Sequence, residues 1–201
     1  MPASINDNPP QLKDEQVKIL FERAEKAYES ELINYSKYIK KSSSDKEFIK
    51  TVLKSGTVTD RVSAITLLIQ ESPFHTLELL QKHLIPMATK KSRAQALLAI
   101  DSIKDLMITN ILPNRKLSYF RDQGLSATNI SNKHLAMWYF EDALKHLYFE
   151  FIKILEELAK DPLTHIKNKI LFYCSDLLAA KPEQEQNLLS LLVNKLVRFK
   201  S

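Results

Sequence analysis

The hydrophobic residues of this chain recur at steps of three and four, which is the spacing of one face of an α-helix. The first such stripe lies between residues 12 and 41 and includes Val17, Leu20, Ala24 and Tyr28. It predicts one long amphipathic helix. Later stripes predict a helix at 44–55, one from 57 to the proline at 73, one at 74–84, one from 93 to about 111, one that follows Asn132 and reaches 160, and two more that start at 162 and 182.

Capping residues and prolines set the predicted boundaries. Ser44 followed by Glu47 has the pattern of a capping box, and Asp161-Pro162 combines a capping carboxylate with a first-turn proline. Pro86 is expected to end the helix at 74–84, because proline lacks the amide that continues a helix. Pro182 is expected to start the last helix.

Helices of this length joined by short turns predict an all-α fold, a HEAT/armadillo-like α-solenoid of stacked antiparallel helix pairs. A closed helical bundle is the main alternative. The chain has only two glycines, which argues against an all-β fold. We expect a flexible leader at 1–11 and a single helical-repeat domain at 12–201, with a long basic loop at about 112–132.

The positive charge is concentrated in one segment. Residues 82–121 contain eight Lys or Arg and two Asp or Glu, whereas the rest of the chain is close to neutral. Clustered cations attract polyanions through counterion release, although a solvated helix face gives the same pattern. The RNA-binding candidates in this segment are Lys90, Lys91, Arg93, Arg115, Lys116 and Arg121.

Two aromatic residues in the long loop have two interpretations. Tyr119 and Phe120 could stack on RNA bases beside the loop cations, or they could anchor the loop to the core. The sequence does not distinguish between these two interpretations.

The last predicted helix has very little polar face. Such a helix requires apolar neighbours on more than one side, which indicates a missing repeat, a dimer or a bound partner. The candidate partner-binding residues are Leu189, Leu192, Val193, Leu196 and Val197.

Catalytic and metal-binding patterns are not evident in the sequence. The five histidines show no pair at four-residue spacing and no companion cysteine, so we expect no metal site and no cofactor. Cys174 lies on an apolar stripe, which favours a buried, inert thiol. Glu141 and Asp142 are helix neighbours that point about 100° apart, so solvated or salt-bridging roles are expected for them. We therefore expect no enzyme.

Several strings, in one order, resemble the nucleolar complex proteins related to the CCAAT/enhancer-binding protein zeta. They span about residues 53–196 and include TLLIQESP (66–73), KKSR (90–93), LPNRKL (112–117), WYFED (138–142), KPEQEQNLL (181–189) and LVNKL (192–196). After residue 196 the family pattern continues with further helices that are not found here. We therefore expect this chain to correspond to the N-terminal part of the family's helical-repeat region.

The resemblance implies a non-catalytic scaffold in large-subunit ribosome assembly and pre-rRNA processing. It also implies a nucleolar location and, as partners, pre-ribosomal RNA and a second nucleolar complex protein; no membrane or small-molecule substrate is expected. Two alternatives stay open, a module that binds protein only and a CCAAT-binding transcriptional regulator. For the latter, the residues show no helix-turn-helix, zinc or basic-zipper element.

Overall fold

A computed structural model describes residues 12–40, 51–52 and 54–198, with the side chains at 38–40 and 195–198 excluded. Within these residues every regular element is helical and no strand occurs, so the prediction of an all-α fold is confirmed. The described part contains seven helices, which are α1 (Asp14–Lys40), α2 (Val58–Glu71), α3 (Pro73–Leu79, Leu80–Leu84 and Ile85–Ala88), α4 (Arg93–Leu106 and Met107–Ile111), α5 (Asn132–Leu158), α6 (Thr164–Ala180) and α7 (Glu185–Arg198).

Helix α3 continues past the residue where a proline was predicted to end it. Its middle segment, Leu80–Leu84, is a π-helical turn, and Pro86 lies in the first turn of the α-helical segment that follows. Proline is tolerated in the first turn of a helical segment, and with the π turn before it the helix continues through Pro86. The prediction of a helix end at Pro86 is therefore wrong. Helix α4 also finishes in a π turn, and its predicted end near Ile111 is confirmed.

Three predicted starts differ from the structure by one to three residues. The cap of α5 is Ser131, whose side chain and that of His134 form a reciprocal capping box, so Asn132 is already helical. Asp161 accepts a hydrogen bond from the Leu163 amide at 2.8 Å and precedes α6, which begins at Thr164.

The start of α7 is also later than predicted. It begins at Glu185 instead of Pro182, after a turn in which Gln184 has a positive φ of 57°. The capping box predicted at Ser44 and Glu47 falls outside the described residues, whereas the one formed by Thr57 and Asp60 is present at α2.

The main core lies between α2, α3, α4, α5 and α6, with α7 closing one side. Its largest fully buried side chains include Phe151 and Tyr148 of α5 and Ile103 and Leu106 of α4. Burying a side chain of this size contributes roughly 1.5–3 kcal/mol, so the burial of these side chains in the main core is a principal source of stability.

A smaller cluster joins α1, the 112–132 loop and the first half of α5. Ala24, Phe120, Leu125 and Leu135 are its buried members. The Phe21 and Phe120 rings meet edge to face with centroids 5.1 Å apart. The 112–132 loop is thus part of a hydrophobic core, because its apolar side chains fill the space between two helices.

Contacts between helices are only partly those of sequence neighbours. Helices α2 and α3, α3 and α4, and α6 and α7 pack against each other in order, but the most extensive contact joins α1 to α5. Helix stacking of the HEAT type stays a prediction. None of the described helices has both the length and the apolar character needed to cross a bilayer.

Candidate nucleic-acid interface

The six candidate RNA-binding cations are divided between the two ends of α4. Lys90, Lys91 and Arg93 are at its start; we call them the turn cluster. Arg115, Lys116 and Arg121 follow its end and form the loop cluster. A helix of 19 residues is about 27 Å long, so the structure does not combine the six cations into one patch.

In the turn cluster, only the arginine has a carboxylate partner. Arg93 Nε donates to Asp161 Oδ2 at 2.9 Å, and this hydrogen bond lowers the pKa of the Asp161 carboxyl. Lys90 and Lys91 are exposed, and within the described part of the chain neither side chain forms an ion pair. Ser92 occupies the N-cap position of α4 but its side chain makes no capping bond.

In the loop cluster, every cation is paired. Both terminal nitrogens of Arg115 donate to Glu141, and Nη2 does so to Oε2 at 3.0 Å. The Lys116 ammonium lies 3.4 Å from the Glu185 carboxylate at the start of α7. The remaining cation of the loop is paired with the first residue of α1, since Arg121 Nη2 is 2.7 Å from Asp14 Oδ1.

Two adjacent carboxylates of α5 hold the loop through its backbone. The Ser118 amide donates to Glu141 at 2.9 Å and the Phe120 amide donates to Asp142 at 2.8 Å. Burial raises the pKa of Glu141, but hydrogen bonds from Arg115, the Ser118 amide and Gln123 outweigh it and hold the pKa below its ordinary value. The salt-bridging role predicted for Glu141 is confirmed.

A buried ion pair fixes the middle of the same loop. Glu183 is 2% exposed and accepts a hydrogen bond from the Leu117 amide at 2.6 Å. Lys145 donates to Glu183 Oε1 at 2.9 Å and to the Leu117 carbonyl at 2.7 Å. A buried carboxylate is stable only when it is paired and hydrogen-bonded, and this one satisfies both conditions with loop and α5 partners.

Sequence reasoning missed Glu183 and Lys145. The pairing joins residues that are 38 positions apart, and a glutamate just before an amphipathic helix is ordinarily a solvated first-turn residue. The only available signal was that Glu183 lies within KPEQEQNLL, one of the strings that carry the family resemblance.

The loop aromatics have different environments. Phe120 is buried in the smaller cluster, so it anchors the loop. Tyr119 is 41% exposed, with the Lys145 ammonium 4.8 Å from its ring centroid. Of the two rings, Tyr119 alone is accessible to a base.

The candidate partner-binding face of α7 is partly visible. Leu189 and Val193, one helical turn apart, are about half exposed, and Leu192 is half-buried. The inner face of α7 is covered, because Leu188 and Leu191 pack into the main core. The side chains of Leu196 and Val197 lie outside the described residues.

The described residues hold no candidate metal-binding cluster. No set of three or more His, Cys, Asp or Glu side chains in this part of the chain is arranged to hold a metal ion. Cys174 is fully buried, and burial raises the pKa of its thiol to about 12. The expectation of a buried cysteine is confirmed.

Comparison with known proteins gives a consistent set of relatives. The chain is 38% identical to the human CCAAT/enhancer-binding protein zeta over 86% of its length, and 37% identical to ribosome biogenesis protein NOC1 of Chaetomium thermophilum over 98%. It is 31% identical to nucleolar complex protein 1 of Drosophila melanogaster over 88%. The chain spans only 16–20% of these relatives. No protein-family model matches it.

Proposed function

Because this chain is homologous over most of its length to one segment of the nucleolar complex protein 1 and CCAAT/enhancer-binding protein zeta family, we propose that it serves in ribosome biogenesis. The proposed role is that of a non-catalytic helical scaffold in large-subunit assembly and pre-rRNA processing, located in the nucleolus. The homology is the observation that supports this proposal most directly, since two relatives are named for ribosome biogenesis and for a nucleolar complex.

The proposed scaffold binds pre-ribosomal RNA and a second nucleolar complex protein. RNA is proposed to contact the cations at the two ends of α4, and the protein partner the exposed face of α7. We further propose that the helices are units of a HEAT-like array, supported by the packing of α2 on α3, α3 on α4 and α6 on α7.

Crosslinking in nucleolar extract tests the proposal. The tagged chain should crosslink to pre-ribosomal RNA, with crosslinked peptides that include the turn cluster or the loop cluster. A chain in which all six cations are replaced by glutamine serves as the control and should lose those crosslinks. Recovery of protein partners with no RNA would refute the RNA-binding role and favour a module that binds protein only.

The exposed apolar pair on α7 favours a protein contact in addition to RNA. Leu189→Asp with Val193→Asp places two charges on this face and should abolish recovery of the protein partner. Leu67→Asp on α2 is a matched control, because Leu67 is also exposed and apolar but lies on another helix. Equal loss in both variants would show that the effect is not specific to α7.

The CCAAT-binding alternative is tested by competition. Duplex DNA with and without a CCAAT element should displace labelled RNA equally, because base readout requires an element placed in a groove. A clear preference for the CCAAT duplex would support the transcriptional role instead.

A further inference from the structure

The six candidate cations differ in whether a carboxylate is paired with them. A phosphate that approaches the loop cluster must displace Glu141, Glu185 or Asp14 from its ion pair. Binding there would form one ion pair with the phosphate and break one with the carboxylate. Lys90 and Lys91 have no such competitor among the described residues, so a phosphate there gains the full contact.

Lys90 borders a groove between the turn that precedes α4 and the last part of α5, and Lys91 is next to it in the sequence. The groove has a volume of about 390 Å³, and Lys90 lies on one wall with Lys153 on the other. Ile154, Leu158 and Ala88 contribute the apolar part of its lining. The lining therefore combines apolar and cationic side chains.

Two carboxylates also line the groove, and only one of them is unpaired. Glu157 is bonded to Lys160 at 2.8 Å, whereas Glu150 has no ion-pair partner in the described part of the chain. Lys153 lies over the Phe149 ring with its ammonium 4.3 Å from the centroid. This contact orients the Lys153 side chain but leaves its positive charge in place. The charged side chains of the lining therefore balance, two lysines against two glutamates, and Lys160 is shared between Glu157 and Glu156. The excess of positive charge at this end of α4 comes from Lys91, which follows Lys90 and is exposed.

An apolar floor beside ammonium groups suits a nucleotide, which combines an aromatic base with a phosphate. The uncapped first turn of α4 adds backbone amides that can donate to phosphate oxygens. An acidic peptide supplies the charge but not the flat ring.

We infer that Lys90, Lys91 and Lys153, around the groove between the α3–α4 turn and α5, form the surface that contacts single-stranded RNA, and that the loop cluster serves to hold the 112–132 loop. This inference rests on the proposed role in RNA binding and assigns it to one end of α4. It adds Lys153 to the candidate residues and removes Arg115, Lys116 and Arg121 from direct contact.

Fluorescence anisotropy with a labelled oligouridylate about 20 nucleotides long tests the assignment with the full chain. In single-stranded RNA each phosphate contact contributes about 0.7 to the slope of log affinity against log salt. Lys90→Gln with Lys91→Gln should therefore reduce the slope by about 1.4, and Lys153→Gln by about 0.7. Lys116→Gln with Arg121→Gln removes the same two charges as the first variant and should leave the slope unchanged.

The outcomes separate failure of the assignment from failure of the proposed function. Equal losses in the two double variants would show a response to net charge, and a loss confined to the loop variant would place the RNA at the other end; either overturns the inference. Absence of salt-dependent binding by the unmodified chain would refute the RNA contact itself. Oligoglutamate bound more tightly than RNA, through Lys90 and Lys91, would reassign the surface to an acidic protein.

Discussion

Replacing Glu183 by glutamine should cost about 3 kcal/mol of stability. The carboxylate is buried, and it accepts hydrogen bonds from Lys145, the Leu117 amide and Gln184 Nε2. The glutamine amide can still accept from one partner, but it leaves the Lys145 ammonium, which is 13% exposed, without a counter-charge. Breaking one member of a buried pair typically costs about 3–5 kcal/mol, and the retained bond from Lys145 to the Leu117 carbonyl places this case at the low end.

Urea denaturation followed by far-UV circular dichroism measures this loss. With a slope of about 2–3 kcal/mol per molar, the midpoint should fall by about 1 M. Glu185→Gln is the matched control, because its pair with Lys116 has both side chains more than half exposed, and such pairs contribute about 0–1 kcal/mol. The double variant Glu183→Gln, Lys145→Met should lose less than the sum of its single variants. A cost below about 1 kcal/mol for Glu183→Gln, equal to that of the control, would refute this explanation of the loop's rigidity.

Four further predictions concern individual groups. The folded-state pKa of Glu141 is below its unfolded value, so its contribution to stability is present above about pH 4.5 and is lost as the pH falls through the lower, folded pKa. The acid unfolding transition of Glu141→Gln should therefore be less steep than that of the unmodified chain. Cys174, whose thiol pKa is about 12, should resist a thiol-reactive dye at pH 8 and react only at the rate of unfolding, so rapid labelling of the folded chain would contradict its burial. Tyr28→Phe removes a 2.6 Å hydrogen bond to the Phe74 carbonyl and should cost about 1 kcal/mol in the same urea assay. Tyr148→Phe removes a buried hydroxyl that has no partner among the described residues and should be neutral or stabilising.

The helical content was predictable because each helix contributes a complete apolar stripe to a core. Local capping signals were less reliable. The predicted starts at Pro162 and Pro182 are early by two and three residues, since side chains such as Asp161 support a turn before the helix as readily as its first residue. Pro86 did not end a helix, because a π turn, which has no clear sequence signal, preceded it.

The candidate interface was harder to predict, because the sequence shows how many cations a segment contains but not which carboxylates lie beside them in the fold. The cations of the basic segment at 82–121 pair mostly with carboxylates that lie outside it, at positions 14, 78, 141, 161, 176 and 185. Within the segment, Lys104 also pairs with Asp105. Ion pairs between distant positions depend on how helices pack, which the hydrophobic pattern does not specify. The sequence located the cations, and only the fold distinguished those that are unpaired.

The strings that resemble the family acquire a common role in the fold. LPNRKL, WYFED and KPEQEQNLL contact one another, through the bonds of Arg115 to Glu141, of the Leu117 amide to Glu183 and of Lys181 to Asn114. The family resemblance therefore has a structural basis in the anchoring of the loop.

The 112–132 loop contacts both the first and the last described helix regions, α1 through Phe120, which packs against Phe21, and the turn before α7 through the Leu117 amide, which donates to Glu183. The loop therefore connects the first and last helices. A force that pulls α1 away from α7 would act on these loop contacts, including the buried ion pair of Glu183, in addition to the contacts between helices. The distance between α1 and the start of α7 would therefore stay fixed until the buried ion pair of Glu183 breaks.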